Sequence, residues 1–351
     1  MSARKCIWFH GASLGDLKSL RPIVNGVERR GAQVRLTYWT REARLAADLW
    51  FAHVQHGRAP IPISIHTKRF IGINRIDASV LEYLELYPAW VHMMKARGLP
   101  IGVVNGRVTD RSLRIQGILK KAAQRLDFFW AQSERDARNA ERIGVRNSVI
   151  EVLGSTKRES LLYRRPPCSD QIRAAIGTFD LVVGSLHRDE HRDFCAAMSG
   201  FKGRVLVAPR YLSQVEHLLK SLRQRGVDVG LRSTTTLPCH QLVILDTVGE
   251  LHAAYALSDV AIIGGTFGRR NGQNLLEPIT VGSAVIFGPN TASVFDEAHA
   301  LQRCGVSPAK NFKTAFDRVA RGEFQRLDVA KIAHYFPRCT EGIISRLIGL
   351  N

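Results

Sequence analysis

The chain has 351 residues, enough for two domains that each bury a core of their own. Its 45% hydrophobic and 23% charged residues exclude a disordered polymer, and no run of 18 apolar residues occurs, which excludes a membrane-spanning helix. A formal charge of +19 calls for an anionic partner, and nucleic acid, an acidic membrane surface and a phosphorylated acceptor all qualify.

The opening MSARKCIWFH is too short and too mixed for a signal peptide. Strand-length apolar runs then alternate with amphipathic segments of helical length, the pattern of parallel βα units. In the first half the predicted strands are 6–10, 33–39, 78–84, 101–106 and 128–133. The helical pattern ERDARNAERIG (134–144) follows the last of them, with Gly144 as its C-terminal stop. Around YRRPPCSD (163–170) the chain turns polar and proline-bearing, which marks a linker. A second series of strands is predicted at 180–185, 204–209, 241–246, 260–265 and 283–288, with LSQVEHLLKSLRQRG (212–226) as one of the helices between them. Two doubly wound halves place a ligand site at the carboxyl ends of the strands. The predicted domains are 1–163 and 164–335, with a C-terminal helix in 336–351 that packs back on the first. Residues 1–160 carry 27 Lys+Arg against 14 Asp+Glu, so most of the positive charge belongs to the first half. The six cysteines lie far apart with no CxxC pair and no metal-ligand spacing, which fits a reducing cytosol better than a disulfide framework.

Small-residue loops close several of these strands. WFHGASLGD (8–16) brings Ser13 and Asp16 to the start of a helix, where Asp16 serves either as a helix N-terminal acid or as a general base on an acceptor hydroxyl. Glu85 follows the third strand in LELYPAW, and Asn105 and Arg107 follow the fourth in VVNGRVTDRS. In DLVVGSLHRDEHRDF (180–194), Ser185 ends a strand and either caps the next helix or binds a phosphate oxygen, with His187 and Glu190 at that helix start. Arg210 in APRY stands where it can pair with a phosphate or carboxylate. Gly249 and Glu250 in LDTVGEL open another predicted helix. IIGGTFGRRNGQNLLEP (262–278) is a strand, a glycine-bearing loop and a helix starting near Asn274, with Glu277 in its first turn. Free N–H groups there suit a phosphate, and a carboxylate one turn in either accepts from both hydroxyls of a ribose or simply favours the helix dipole of a tight strand-to-helix turn.

In this order and at these spacings, the segments WFHGASLGD, VVNGRVTDRS, GSLHRDE, APRY, LDTVGEL and NGQNLLEP together resemble the 3-deoxy-D-manno-octulosonic acid (Kdo) transferases. The resemblance implies an α/β protein of the GT-B fold, with two Rossmann-like domains. It implies an inverting, metal-independent glycosyltransferase without a cofactor, moving Kdo or a related ulosonic acid from its cytidine monophosphate (CMP) conjugate to a lipid A-type or other anionic glycan acceptor. Ser185, His187, Glu190, Arg210, Gly249, Glu250, Asn274 and Glu277 match its donor-side pattern. Asp16 falls where the family has its catalytic glutamate, and Ser13, Glu85, Asn105 and Arg107 match its acceptor side. Departures cluster on that acceptor side: aspartate replaces the glutamate, and the family's E-T-E-x-W-P-N stretch reads Tyr83-Leu84-Glu85-Leu86-Tyr87-Pro88-Ala89. Gln273 stands where many members carry histidine. The first predicted strand begins at residue 6, so an anchorless cytoplasmic enzyme is expected, held peripherally by its basic half at an anionic membrane, with no nucleic-acid role. The alternatives are a GT-B transferase or epimerase using another nucleotide sugar, and a catalytically impaired nucleotide-binding paralogue.

Overall fold

The computed structural model describes residues 4–234 and 240–350. The chain divides into two compact units, one made of Met1–Ser160 with Phe336–Asn351 and the other of Leu161–Tyr335.

The first unit is built on a seven-stranded parallel sheet. Its strands are β1 (Cys6–His10), β2 (Gln33–Tyr38), β3 (Gln55–Arg58), β4 (Ala78–Glu82), β5 (Ile101–Gly106), β6 (Phe128–Ala131) and β7 (Ile150–Val152), in the order β3-β2-β1-β4-β5-β6-β7. All five residues of β1 and all five of β4 are buried, because helices cover both faces of the sheet. The chain winds outward from β1 to β3, then returns to β4 on the other side of β1, so the order reverses between β1 and β4.

The residues that return to this unit at the C-terminus are fixed by packing and by one carboxylate. Ile343, Ile344 and Leu347 of the helix Thr340–Ile348 join the core formed by Leu20, Ile23 and Val27 of the helix Leu14–Arg29. Gly26 permits the close approach, since a Cβ there would lie 2.1 Å from Ile344 Cδ1. Glu159 Oε2 accepts the Cys339 N–H (2.8 Å), the Thr340 N–H (2.7 Å) and the Thr340 hydroxyl (2.7 Å). Those bonds hold the Glu159 carboxyl below its ordinary pKa, although burial opposes them.

The second unit has a six-stranded parallel sheet of β8 (Leu181–Leu186), β9 (Val205–Pro209), β10 (Val229–Leu231), β11 (Leu242–Ile244), β12 (Val260–Ile263) and β13 (Ala284–Phe287), ordered β10-β11-β9-β8-β12-β13. Its order reverses between β8 and β12. Every strand predicted from the sequence is present, and β3, β7 and β10 are additional. Gly144 sits just past the helix Glu134–Arg142 at φ +102°, the left-handed stop its position predicts. No helix among the described residues is long and apolar enough to cross a membrane.

Candidate active site

In the second unit every donor-side residue lies at or beyond the carboxyl end of one of four contiguous strands, β11-β9-β8-β12. Ser185 and His187 lie at the end of β8, and Glu190 lies one turn on. Arg210 directly follows β9, Gly249 and Glu250 follow β11, and the loop after β12 leads to Asn274 and Glu277. This is the edge, and the reversal point, at which open α/β sheets bind ligands.

The centre of the group is a loop held shut by Glu190. Its Oε2 accepts the N–H groups of His187 (3.0 Å) and Gly265 (2.7 Å), and its Oε1 those of Phe267 and Gly268 (3.0 Å each). Glu190 is 2% exposed, so its carboxylate is consumed by backbone, and it positions the glycine loop instead of presenting an oxygen to a ligand. Asp189 continues the clasp by accepting the Arg269 N–H at 2.9 Å. The ends of β8 and β12 approach closely, and a Cβ on Gly264 would meet the Ser185 carbonyl oxygen and Leu186 Cα at 2.7 Å.

Two local features differ from the sequence expectation. Ser185 does not cap the following helix: it stays within β8 in a left-handed conformation (φ +55°), and His187 takes the N-cap position of the turn Arg188–Glu190. The helix expected near Asn274 starts at Glu277 and is a single turn, Glu277–Thr280, because Pro278 suits only the first positions of a helix. Asn274 lies in the loop before it, donating to Glu277 Oε1 at 3.0 Å and accepting the Leu276 N–H at 3.0 Å.

The remaining side chains are electrostatically organised. His187 is buried, its Nε2 lies 3.2 Å from Gln273 Nε2, and burial followed by the Arg270 and Arg210 cations pushes its pKa down. With the Gln273 amide donating, the ring is neutral and accepts at Nε2. Arg210 is exposed; its N–H donates to the Leu186 carbonyl at 2.8 Å, and its guanidinium lies 5.1 Å from the Tyr211 ring centre. Glu250 receives Arg232 Nη2 at 3.2 Å and the Thr247 hydroxyl, while Gly249 before it adopts φ +91°. Arg232 was not legible as a site residue, since it follows β10, a strand of only three residues.

In the first unit the acceptor-side residues lie at the carboxyl ends of the contiguous strands β1, β4 and β5. Ser13 is the N-cap of the helix Leu14–Arg29, and it forms a reciprocal pair with Asp16. The Ser13 N–H donates to Asp16 Oδ2 at 2.8 Å, and the Asp16 N–H donates to Ser13 Oγ at 3.4 Å. Asp16 is therefore both the helix-terminal acid and a carboxylate at the sheet edge. It is 7% exposed, and burial raises its pKa against the hydrogen bonds from Ser13 and Ala12 and the Lys157 charge.

Glu85 is half-buried and accepts the Tyr87 hydroxyl at 2.7 Å, which itself accepts from Trp39 Nε1 at 2.9 Å. Burial raises the Glu85 pKa, and the Asp16 charge adds to the shift. A third carboxyl, Glu82, stands fully buried at the end of β4 with its pKa raised well above the usual range by burial, and Asp16 contributes there too. The apolar pattern ASVLEYL conceals Glu82, because an acid at a strand end carries no spacing signal.

Asn105 keeps the strand position that 101–106 predicts, but its side chain is taken up inside the unit. It lies inside β5, fully buried at φ +50°, with its amide engaged internally: Nδ2 donates to Glu82 Oε2 (3.1 Å) and to Thr156 Oγ1 (3.0 Å), and Oδ1 accepts the Thr156 N–H (2.9 Å). Thr156 in turn donates to the Ser19 carbonyl at 2.7 Å. Asn105 thus ties β4 and β5 to the helix that carries Asp16 and is a positioning residue. Arg107 follows β5, its N–H donating to the Tyr83 carbonyl at 3.4 Å.

Two Rossmann-like units, each with polar and ionisable residues on the carboxyl edge of a parallel sheet, make up the GT-B fold. MurG from Acinetobacter baumannii shares this fold, with a TM-score of 0.59 and 12% identity over 99% of each chain. The family described as 3-deoxy-D-manno-octulosonic-acid transferase (kdotransferase) matches residues 1–160. A 3-deoxy-D-manno-octulosonic acid transferase of Bordetella pertussis is 27% identical over 89% of this chain and 78% of its own length. One from Chlamydophila psittaci is 29% identical over 85% of this chain and 72% of its own. These matches make the chain similar to Kdo transferases, which are glycosyltransferases, over most of its length.

Proposed function

We propose that the chain transfers Kdo, or a closely related ulosonic acid, from its CMP conjugate to a hydroxyl of an anionic glycolipid of the lipid A type, inverting the anomeric centre. The observation that carries this reading is the gathering of the donor-side residues, in a chain similar to Kdo transferases, along the carboxyl edge of β11-β9-β8-β12.

In the second unit Arg210 carries the positive charge for the phosphate, and the loop clasped by Glu190 shapes the bed on which the nucleotide lies. Glu277 receives the ribose hydroxyls, with its carboxylate aimed by Asn274. Neutral His187 and the Gly249–Glu250 turn complete the donor side. In the first unit Asp16 takes the proton from the acceptor hydroxyl as that oxygen attacks the anomeric carbon. The bond from that carbon to the CMP phosphate breaks on the opposite face, and CMP leaves with the electron pair. Burial that raises the Asp16 pKa makes its carboxylate a stronger base than an exposed aspartate. Arg107 and Glu85 orient the acceptor. The leaving charge is met by Arg210 and by backbone N–H groups, so this mechanism uses neither a metal nor a cofactor.

Calorimetric titration with CMP, with UMP and UDP as controls, tests the donor assignment. Selective CMP binding is expected. Preference for a uridine nucleotide favours a GT-B enzyme with another sugar donor, and overturns the reading.

A further inference from the structure

We infer that Arg232 and Glu250 form a nucleobase-reading pair in the second unit that selects cytosine over uracil; the inference rests on the CMP-conjugate reading above and deepens it.

The pair is built by two loops. Arg232 directly follows β10, and Glu250 stands just before the helix Leu251–Ala254 that follows β11. Because β10 and β11 are hydrogen-bonded neighbours, the two residues reach one place from adjacent strand ends, and Arg232 Nη2 donates to Glu250 Oε1 at 3.2 Å. Asp246 fixes the loops to each other. Its Oδ1 accepts the Ser233 N–H at 2.8 Å, and its Oδ2 accepts the Ser233 hydroxyl. The Thr247 hydroxyl donates to Glu250 Oε2, so both carboxylate oxygens are aimed.

A line of contacts joins this pair to the rest of the donor side. His187 Nε2 lies 3.2 Å from the amide nitrogen of Gln273, and the next residue, Asn274, donates to Glu277 Oε1 at 3.0 Å. Glu277 begins the one-turn helix Glu277–Thr280, whose Thr280 Oγ1 lies 2.8 Å from Nε2 of His252, two residues beyond Glu250. The acid assigned to the ribose and the Arg232–Glu250 pair are therefore neighbours. Phosphate, ribose and base fall in the order that the bonds of a nucleotide require.

The hydrogen-bonding pattern of the pair identifies the base. A guanidinium carries N–H donors in a fixed plane and no acceptor, and a carboxylate only accepts. Among the described residues only Nη2 of Arg232 has a partner, which leaves Nη1 and the buried Nε unspent. The Arg232 side chain is 21% exposed and that of Glu250 30%, so part of the pair remains open to a ligand. Side by side they offer an acceptor followed by donors. The pairing edge of cytosine is the complement, since its N4 amine donates while N3 and O2 accept. Glu250 takes the N4 amine, the group that carboxylates select in cytosine, and Arg232 donates to N3 and O2. Uracil has an oxygen in place of that amine and a proton on N3. Against the same pair its O4 meets a carboxylate oxygen and its N3–H meets a guanidinium N–H, and both contacts repel.

The test is calorimetric titration of the parent, Glu250→Gln and Arg232→Gln with CMP, with UMP, and with the 2-pyrimidinone ribotide that is CMP without its N4 amine. The parent is expected to bind CMP about tenfold or more tightly than either other nucleotide. Each variant should lose about tenfold or more of the CMP-to-UMP ratio, and Glu250→Gln should bind CMP and the amine-free analogue alike. A loss of fold or of phosphate contacts weakens all three nucleotides together and leaves the ratios unchanged, so the ratio isolates base reading. Circular dichroism establishes that each variant is folded. If the parent prefers CMP while either variant keeps its ratio, the proposal is overturned and the donor assignment stands. The proposal also fails, without any variant, if the parent binds the amine-free analogue as tightly as CMP. A parent with no preference for CMP over UMP overturns the donor assignment, and the proposal with it.

Discussion

Glu190 and Gly265 are 75 residues apart in sequence, yet Glu190 Oε2 accepts the Gly265 N–H at 2.7 Å, and the same carboxylate closes on Phe267 and Gly268. A buried carboxylate satisfying four backbone donors fixes the loop after β12 against the end of β8. Glu190→Gln replaces one acceptor oxygen with a donor and leaves at least one buried N–H without a partner, at a cost of about 1–3 kcal/mol. CMP affinity is expected to fall roughly tenfold or more, with a melting temperature several degrees lower. Calorimetry and a thermal melt on the same protein check this, and an unchanged affinity contradicts the positioning role.

Asp16→Asn separates chemistry from architecture. The new amide oxygen can still accept the Ser13 N–H, so the helix start survives. On the proposed mechanism this removes the base, and kcat should fall about 10²- to 10⁴-fold while CMP affinity stays as it was. Near-normal turnover would assign the base elsewhere.

The pH profile follows from the same carboxyl. Asp16 must be ionised to accept a proton, and burial raises its pKa. The acidic limb of kcat/KM should therefore have its midpoint above the ordinary aspartate value of about 3.9. It should disappear in Asp16→Asn, whose residual rate is flat over that range. A limb at the ordinary value would mean that Asp16 titrates as an exposed group.

Two carboxyls of the first unit should affect stability with opposite pH dependence. Glu159 has a lowered pKa, so its contribution is fully present above the unfolded value of about 4.3 and is lost as pH falls through the folded one. Glu159→Ala should cost about 1–3 kcal/mol at neutral pH and progressively less in acid, after discounting for its partial exposure. Glu82 has a raised pKa, so its ionisation opposes folding as pH rises through the folded value. Glu82→Gln keeps an oxygen for Asn105 and should be neutral or stabilising at alkaline pH. Urea melts across pH measure both, and parallel profiles for the two variants would contradict the assignment.

The sequence revealed the architecture wherever burial was complete. Runs such as CIWF and VAII are apolar throughout because helices cover both faces of these interior strands, and AVIF, although at a sheet edge, is buried along its whole length. The strands it concealed are QHGR, IEV and VGL, all at sheet edges, three or four residues long and in two cases polar. Site positions were legible because strand ends are punctuated by glycine, serine and asparagine. Their roles were less so. Glu190 looked like a ligand contact, but its partners are backbone groups distant in sequence, which leave no pattern in side-chain types. Asn105 matched the acceptor side, yet its side chain is taken up by Glu82 and Thr156 from a left-handed backbone.

The most direct test of the account is to incubate the purified chain with CMP-Kdo and a lipid A precursor, following CMP release and the mass of the lipid. The expected product is a lipid heavier by one or more Kdo residues, with one CMP released for each and inversion at the new anomeric centre. CMP-Kdo left intact, or hydrolysed to free Kdo with the lipid unchanged, would contradict it.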